Sequence, residues 1–177
     1  MNKSVIMMWK AAQKGWKPST KVTTERQFKK MKYDGKSSAR KGFVGHHYGY
    51  MGKYFQPFDN RVTKERLKKT GTKISTIATK KLKKVGFISG TYAKFSKLKD
   101  YVIYCDPPYQ CHANYYDENG KMIPKFDHEK FWDWCRIMAE NNIVFVSEYK
   151  MPNDFEKILS IKSRTAGNSK IDKLYLI

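Results

Sequence analysis

The chain has 177 residues, enough to bury one core, or one core with an insertion. Its 36 Lys and Arg against 16 Asp and Glu leave a net charge of +20, which points to a polyanionic partner, with nucleic acid and an anionic membrane surface as the two choices. No apolar run approaches the roughly 18 residues of a spanning helix, the start Met1-Asn2-Lys3-Ser4 lacks a signal peptide's apolar core, and Cys105, Cys111 and Cys135 without a CxxC pair favour neither a disulfide framework nor a zinc site. The expectation is a soluble cytoplasmic protein with no bound metal; Cys111 beside His112 is the only hint of a ligand pair.

Val5, Ile6, Met8, Trp9 and Ala12 stand at helical spacing, with Gly15 after the last turn and Pro18 beyond it, and so predict an amphipathic first helix. Thr23 or Thr24 then caps a second helix that takes in Gln27 and Phe28, while the basic stretch 29–40, with Gly and Ser, reads as a loop. Between 42 and 60, Gly42, Gly45, Gly49 and Gly52 are interleaved with His46, His47, Tyr54 and other rings. Glycines there let backbone approach a ligand and the rings offer stacking faces and hydrogen bonds; a glycine-rich hairpin whose aromatics are core is equally open.

From 61 to 84 the charge is almost wholly positive, with Arg61, Arg66, Lys80, Lys81 and Lys84 among the cations and Glu65 the lone acid. Ile74, Ile77, Ala78, Leu82 and Val85 nevertheless keep an apolar stripe, which predicts a helix seated on a core with lysines on its outer face. That face is either simply solvated or in contact with phosphates. Gly86-Phe87-Ile88-Ser89-Gly90 predicts a short strand, with Thr91-Tyr92 at its end.

Tyr101-Val102-Ile103-Tyr104-Cys105 reads as a buried strand, and the two prolines after it cannot continue a ladder. Asp106-Pro107-Pro108-Tyr109 therefore lies in the turn at a strand's carboxyl end, where open α/β sheets bind ligands. A carboxylate, a carbonyl stiffened by a following proline and an aromatic face suit a planar substrate with an exocyclic amine. The amino nitrogen of adenine is poorly nucleophilic because its lone pair is delocalised into the ring. Asp106 and the carbonyl of Pro107, accepting its two hydrogens, would localise that pair while Tyr109 stacks on the base. The alternative is a tight turn whose Asp caps a backbone N–H.

Asn114-Tyr115-Tyr116 falls in a loop that runs through Asn119-Gly120 to Lys125. Asp127 caps a helix with Phe131, Trp134, Cys135 and Met138 on one side, ended near Asn141-Asn142. Ile143-Val144-Phe145-Val146 is the next buried strand, and Ser147-Glu148-Tyr149 lies at its carboxyl end. Glu148 there either holds loop backbone or orients the tetrad. Leu174-Tyr175-Leu176-Ile177 predicts a last strand.

Several short stretches in one order carry a resemblance: Gly15-Trp16-Lys17-Pro18, Gly42-Phe43-Val44-Gly45 with Gly52-Lys53-Tyr54-Phe55, the tetrad, Phe126-Asp127-His128 with Phe131-Trp132, Val146-Ser147-Glu148-Tyr149 and Asp172-Lys173-Leu174-Tyr175. By these the chain resembles the D12-class (Dam-like, alpha-group) adenine-N6 DNA methyltransferases, especially the phage and large-virus branch. The resemblance implies an α/β fold, an incomplete Rossmann-like methyltransferase sheet with a basic, mainly helical target-recognition insertion. It divides the chain into a target-recognition segment, 1–60, and a partial catalytic domain, 61–177. It implies S-adenosylmethionine as cofactor, double-stranded DNA as partner, and Asp106, Pro107, Pro108 and Tyr109 as the catalytic tetrad. Asp106, Thr91 and Tyr92 would border the cofactor, although Thr91 stands where the family usually carries an Asp. Lys53, Tyr54, His46, His47, Arg61, Arg66, Lys80, Lys81 and Lys84 would meet DNA.

The family's opening Lys-containing segment and its Gly-rich F-x-G-x-G turn, which cradle the methionine end of the cofactor, do not occur in these 177 residues. In the family's strand order, 3-2-1-4-5, the tetrad strand pairs with strand 1, so a second polypeptide is expected to supply the cofactor half and to complete the sheet. Three functions compete: the catalytic subunit of a split methyltransferase, a DNA-binding remnant without activity, and methylation of another planar amine, such as adenine in RNA or a glutamine amide.

Overall fold

A computed structural model describes residues 2–110, 125–165 and 168–177, the side chains of 163–165 and 168–170 aside. The Cys111-His112 pair and the Asn114-Tyr115-Tyr116 loop lie outside the described residues. Two compact units emerge, one running to Gly90 and the other beginning at Thr91. The boundary expected at residue 60 thus lies inside the first unit, which keeps the basic helix.

The first unit is helical: α1 (Lys3–Gln13), α2 (Glu25–Tyr33), α3 (Ala39–His47) and α4 (Lys64–Thr76), the last continuing as a wider π turn over Ile77–Lys81. Each helix starts on a side chain that accepts an otherwise unpaired amide: Asn2 from Val5, Thr24 from Gln27, Ser38 from Lys41 and Thr63 from Arg66. Thr24 and Gln27 form a full capping box, and the Glu25–Lys29 pair supports the same turn. Hence 29–40 is not a loop throughout. Its lysines extend α2 to Tyr33, and Ser38 opens α3.

Met8, Ala12, Phe28, Phe43, Val44, Tyr48, Phe55, Leu67, Ile74 and Ala78 make this unit's core. The stretch expected to bring glycine backbone to a ligand instead begins as a helix. At Gly42 an added Cβ would collide with the backbone carbonyl of Ser4, and at Gly45 with the Tyr54 ring, so these glycines let helix and loop pack closely. The expected strand at 86–90 does not form: the segment has no ladder partner among the described residues, and Phe87 stacks on Trp9 with ring centroids 6.2 Å apart.

The second unit is a mixed sheet with one long helix. Strands β1 (Val102–Cys105), β2 (Ile143–Ser147), β3 (Glu156–Thr165) and β4 (Asn168–Leu176) lie in the order β1-β2-β4-β3, and helix α5 (His128–Ala139) packs on β2. β1 and β2 are parallel, with Val102 beside Ile143 and Cys105 beside Val146; β4 runs antiparallel to both β2 and β3. Asp127 caps α5 by accepting from the Lys130 amide, and Phe131, Trp132, Trp134, Cys135 and Met138 bury its inner face against Val144, Val146 and Tyr175.

β1 is not the buried strand that its apolar residues predicted. It pairs only with β2 among the described residues, and Val102 and Tyr104 are 68% and 62% exposed. No helix among the described residues is long and apolar enough to cross a membrane.

Candidate active site and nucleic-acid interface

Because β1 and β2 are parallel neighbours in register, their carboxyl ends lie side by side. The turn after β1 carries Asp106-Pro107-Pro108-Tyr109, and the turn after β2 carries Glu148-Tyr149. Asp106 is exposed and Pro107 buried. The Tyr109 and Tyr149 rings meet edge to face, centroids 4.6 Å apart and planes at 86°. Beside them the Tyr104 hydroxyl and the Ser147 hydroxyl are 2.8 Å apart. Burial and then the Asp106 carboxylate push the Tyr109 phenol up to about 12, against the pull of a hydrogen bond with Ser147.

Beneath the two turns sits Glu148, fully buried. Its Oε2 accepts from the Gln110 amide at 3.2 Å and its Oε1 from the Tyr149 amide at 2.7 Å, so one carboxylate ties both turns together. Its own amide donates to the Lys173 carbonyl, and Lys173 Nζ donates to the Tyr149 carbonyl, which fastens the second turn to β4. His128, the first residue of α5, donates from Nε2 to the Pro108 carbonyl at 2.7 Å, since a carbonyl can only accept. The same nitrogen lies 3.8 Å from Glu148 Oε2.

Thr91 is exposed at the start of a 3-10 turn over Tyr92–Phe95, and its side chain caps nothing there. Tyr92 packs against Phe126, Phe131 and Trp134, with centroids 5.2 to 6.0 Å away, and burial raises its phenol above the ordinary value. Its ring therefore faces the α5 aromatics. Also under the tetrad strand, a hydrogen bond with Cys105 and then burial push the Cys135 thiol up.

In the first unit the residues expected at DNA form two groups. His46 Nδ1 is 2.9 Å from the Gly52 carbonyl, and its ring is tilted against Tyr54 at 5.0 Å; Lys53 between them is exposed. His47 is bonded at Nδ1 to the Phe43 carbonyl and stacked on the Phe43 ring at 4.0 Å, and burial lowers its pKa below the ordinary imidazole value. Asp59, buried, receives Arg61 through two nitrogens at 2.8 and 3.1 Å and lies 3.8 Å from Arg66. Arg61 also lies over the Tyr50 ring. Asp59 thus holds the Arg61 guanidinium through both its oxygens, with Arg66 at ion-pair distance.

Lys80 and Lys81, in the π turn that follows α4, and Lys84 beyond it are exposed. Arg61 and Arg66 thus have an acidic partner in Asp59, while Lys80, Lys81 and Lys84 are open to solvent. Asp59, Tyr149 and His128 escaped the sequence-level selection of site residues. Asp59 had a signal, a lone acid two residues before Arg61; the other two lie in stretches that carry the resemblance but act through contacts that sequence spacing does not reveal.

A family model described as D12 class N6 adenine-specific DNA methyltransferase matches residues 2–175. No curated protein and no solved structure matches the chain.

Proposed function

Because the chain belongs to the D12 class of N6 adenine-specific DNA methyltransferases, we propose that it forms the target-recognition and base-holding half of such an enzyme. The cofactor cradle comes from protein outside these 177 residues, in our reading a second polypeptide. The observation that carries this reading is the tetrad after β1, with Asp106 exposed, Tyr109 braced by Tyr149, and the turn tied to its neighbour by Glu148.

The Asp106 carboxylate and the Pro107 carbonyl accept the two amino hydrogens of an adenine turned out of the duplex, and Tyr109 stacks on its face. Drawing on both hydrogens shifts the lone pair from the ring to the nitrogen. No strong base is needed, since the methylated ammonium readily gives its proton to water. S-adenosylmethionine, when bound, supplies the electrophilic methyl group on its sulfonium.

The residues present fit only part of that cofactor. Asp106 and the exposed Thr91 offer polar groups to it, Tyr92 is committed to the α5 cluster, and the F-x-G-x-G turn does not occur in the sequence. The outer edge of β1, unpaired among the described residues, and the exposed Val102 and Tyr104 support completion by another strand and a covering element. The lysine face of α4 supports contact with duplex phosphates.

The test is methyl transfer to adenine in duplex DNA by this chain together with a polypeptide that carries the Gly-rich turn. Asp106→Ala should lower the rate by about a hundredfold or more, while salt-sensitive DNA binding stays; full activity in that variant would contradict the assignment. The departure at Thr91 favours a second reading, a DNA-binding remnant, which expects DNA binding and no transfer in any mixture.

A further inference from the structure

We infer that His128 is a positioning residue that locks the Tyr109 stacking face relative to Asp106 and Pro107; the inference rests on the reading of the tetrad given above. The backbone of the tetrad leaves little free. The two proline rings fix φ at Pro107 and Pro108, and residues that precede a proline, here Asp106 and Pro107, are held to extended ψ. Between the prolines and Tyr109, the first rotation left open is ψ of Pro108. It turns the Pro108 carbonyl and with it the whole of Tyr109.

His128 closes that rotation by donating to the Pro108 carbonyl at 2.7 Å. On the far side of Tyr109, the buried Glu148 holds the Gln110 amide at 3.2 Å. Tyr109 is therefore pinned on both sides, once by a carbonyl and once by an amide, before its ring meets Tyr149.

His128 is itself well anchored. It is the first residue of α5, directly after the Asp127 cap, its ring packs against Phe126 and Trp132, and its side chain is only 17% exposed. The helix thus transmits a fixed point to the turn. Nothing in this arrangement asks His128 to touch the base or the cofactor.

The test uses the full chain with His128→Leu, which removes the donor, and His128→Gln, which keeps an N–H donor. Amide exchange at Tyr109 and Gln110 should speed up about tenfold or more in His128→Leu, with the interiors of α5 and β2 unchanged. The Tyr109 phenol, followed by ultraviolet titration, should fall from about 12 toward the ordinary 10.0 in the same variant. His128→Gln should restore both. In the assembled enzyme kcat should drop about 10- to 100-fold in His128→Leu, with KM for DNA within about twofold of the parent.

Unchanged exchange and an unchanged Tyr109 titration in His128→Leu would overturn the inference. If that variant does not fold, His128→Asn, too short to reach the carbonyl, should show the same two changes, and their absence would be equally decisive. Should both changes appear while Asp106→Ala leaves transfer intact, the positioning role stands and the functional reading of the tetrad fails instead.

Discussion

The Tyr109 phenol shows how the site's chemistry follows from its neighbours. Burial and the Asp106 carboxylate both penalise the phenolate and raise the group from 10.0 to about 12. A raised pKa means that the fold favours the protonated form: the contribution to stability is complete below pH 10 and is lost as the pH climbs through about 12. Ultraviolet titration of the chain and of Tyr109→Phe should therefore give the same tyrosinate signal up to about pH 11. A one-tyrosine difference centred at about 10, the ordinary phenol value, would contradict the burial described for this ring.

Asp106 and Tyr109 stood out as candidates in the sequence because a carboxylate, two prolines and a ring in a row are a local pattern, whatever role they play. Tyr149, far along the chain, braces Tyr109 only because β1 and β2 are adjacent and parallel. Such a partner is a property of the sheet.

At the scale of elements, what is local was also readable. The first helix, the Thr24 cap and the Asp127 cap follow from short-range signals, and all three are present. The basic stretch 29–40 misled because Lys and Arg are good helix formers, whatever their solubility suggests. The glycines of 42–52 misled because a glycine in a helix is costly unless something packs against it. Gly42→Ala tests that packing: the new methyl meets the Ser4 carbonyl, so α1 and α3 must part at a cost of about 1–3 kcal/mol, read from denaturant unfolding. An unchanged midpoint would mean that the helices do not cross so closely.

The strand expected at 86–90 failed for the opposite reason, since a strand exists only with a partner. β3 went unread because its exposed Leu159 and Ile161, set among charged residues, find their place only in the ladder with β4, and Ile158 falls at a register shift in that ladder.

For the whole molecule the governing quantities are the charge and the outer edge of β1, unpaired among the described residues. A net charge of +20 makes DNA binding a counterion-release process, steep in salt. Replacing Lys80 and Lys81 by Gln should flatten the slope of log affinity against log salt by about 0.9 for each phosphate no longer neutralised, without changing the preferred sequence. An unaltered slope would leave those lysines as a solvated face.

The edge of β1 bears on the proposed catalysis more directly. β1 ends at the tetrad, its outer edge is unpaired among the described residues, and the Gly-rich cradle is not in the sequence. Calorimetric titration with S-adenosylmethionine, first of this chain and then of its mixture with a polypeptide carrying the Gly-rich turn, measures whether the site is half of one. Heat of binding is expected only in the mixture; tight binding by the chain alone would contradict a cofactor half supplied from outside these residues.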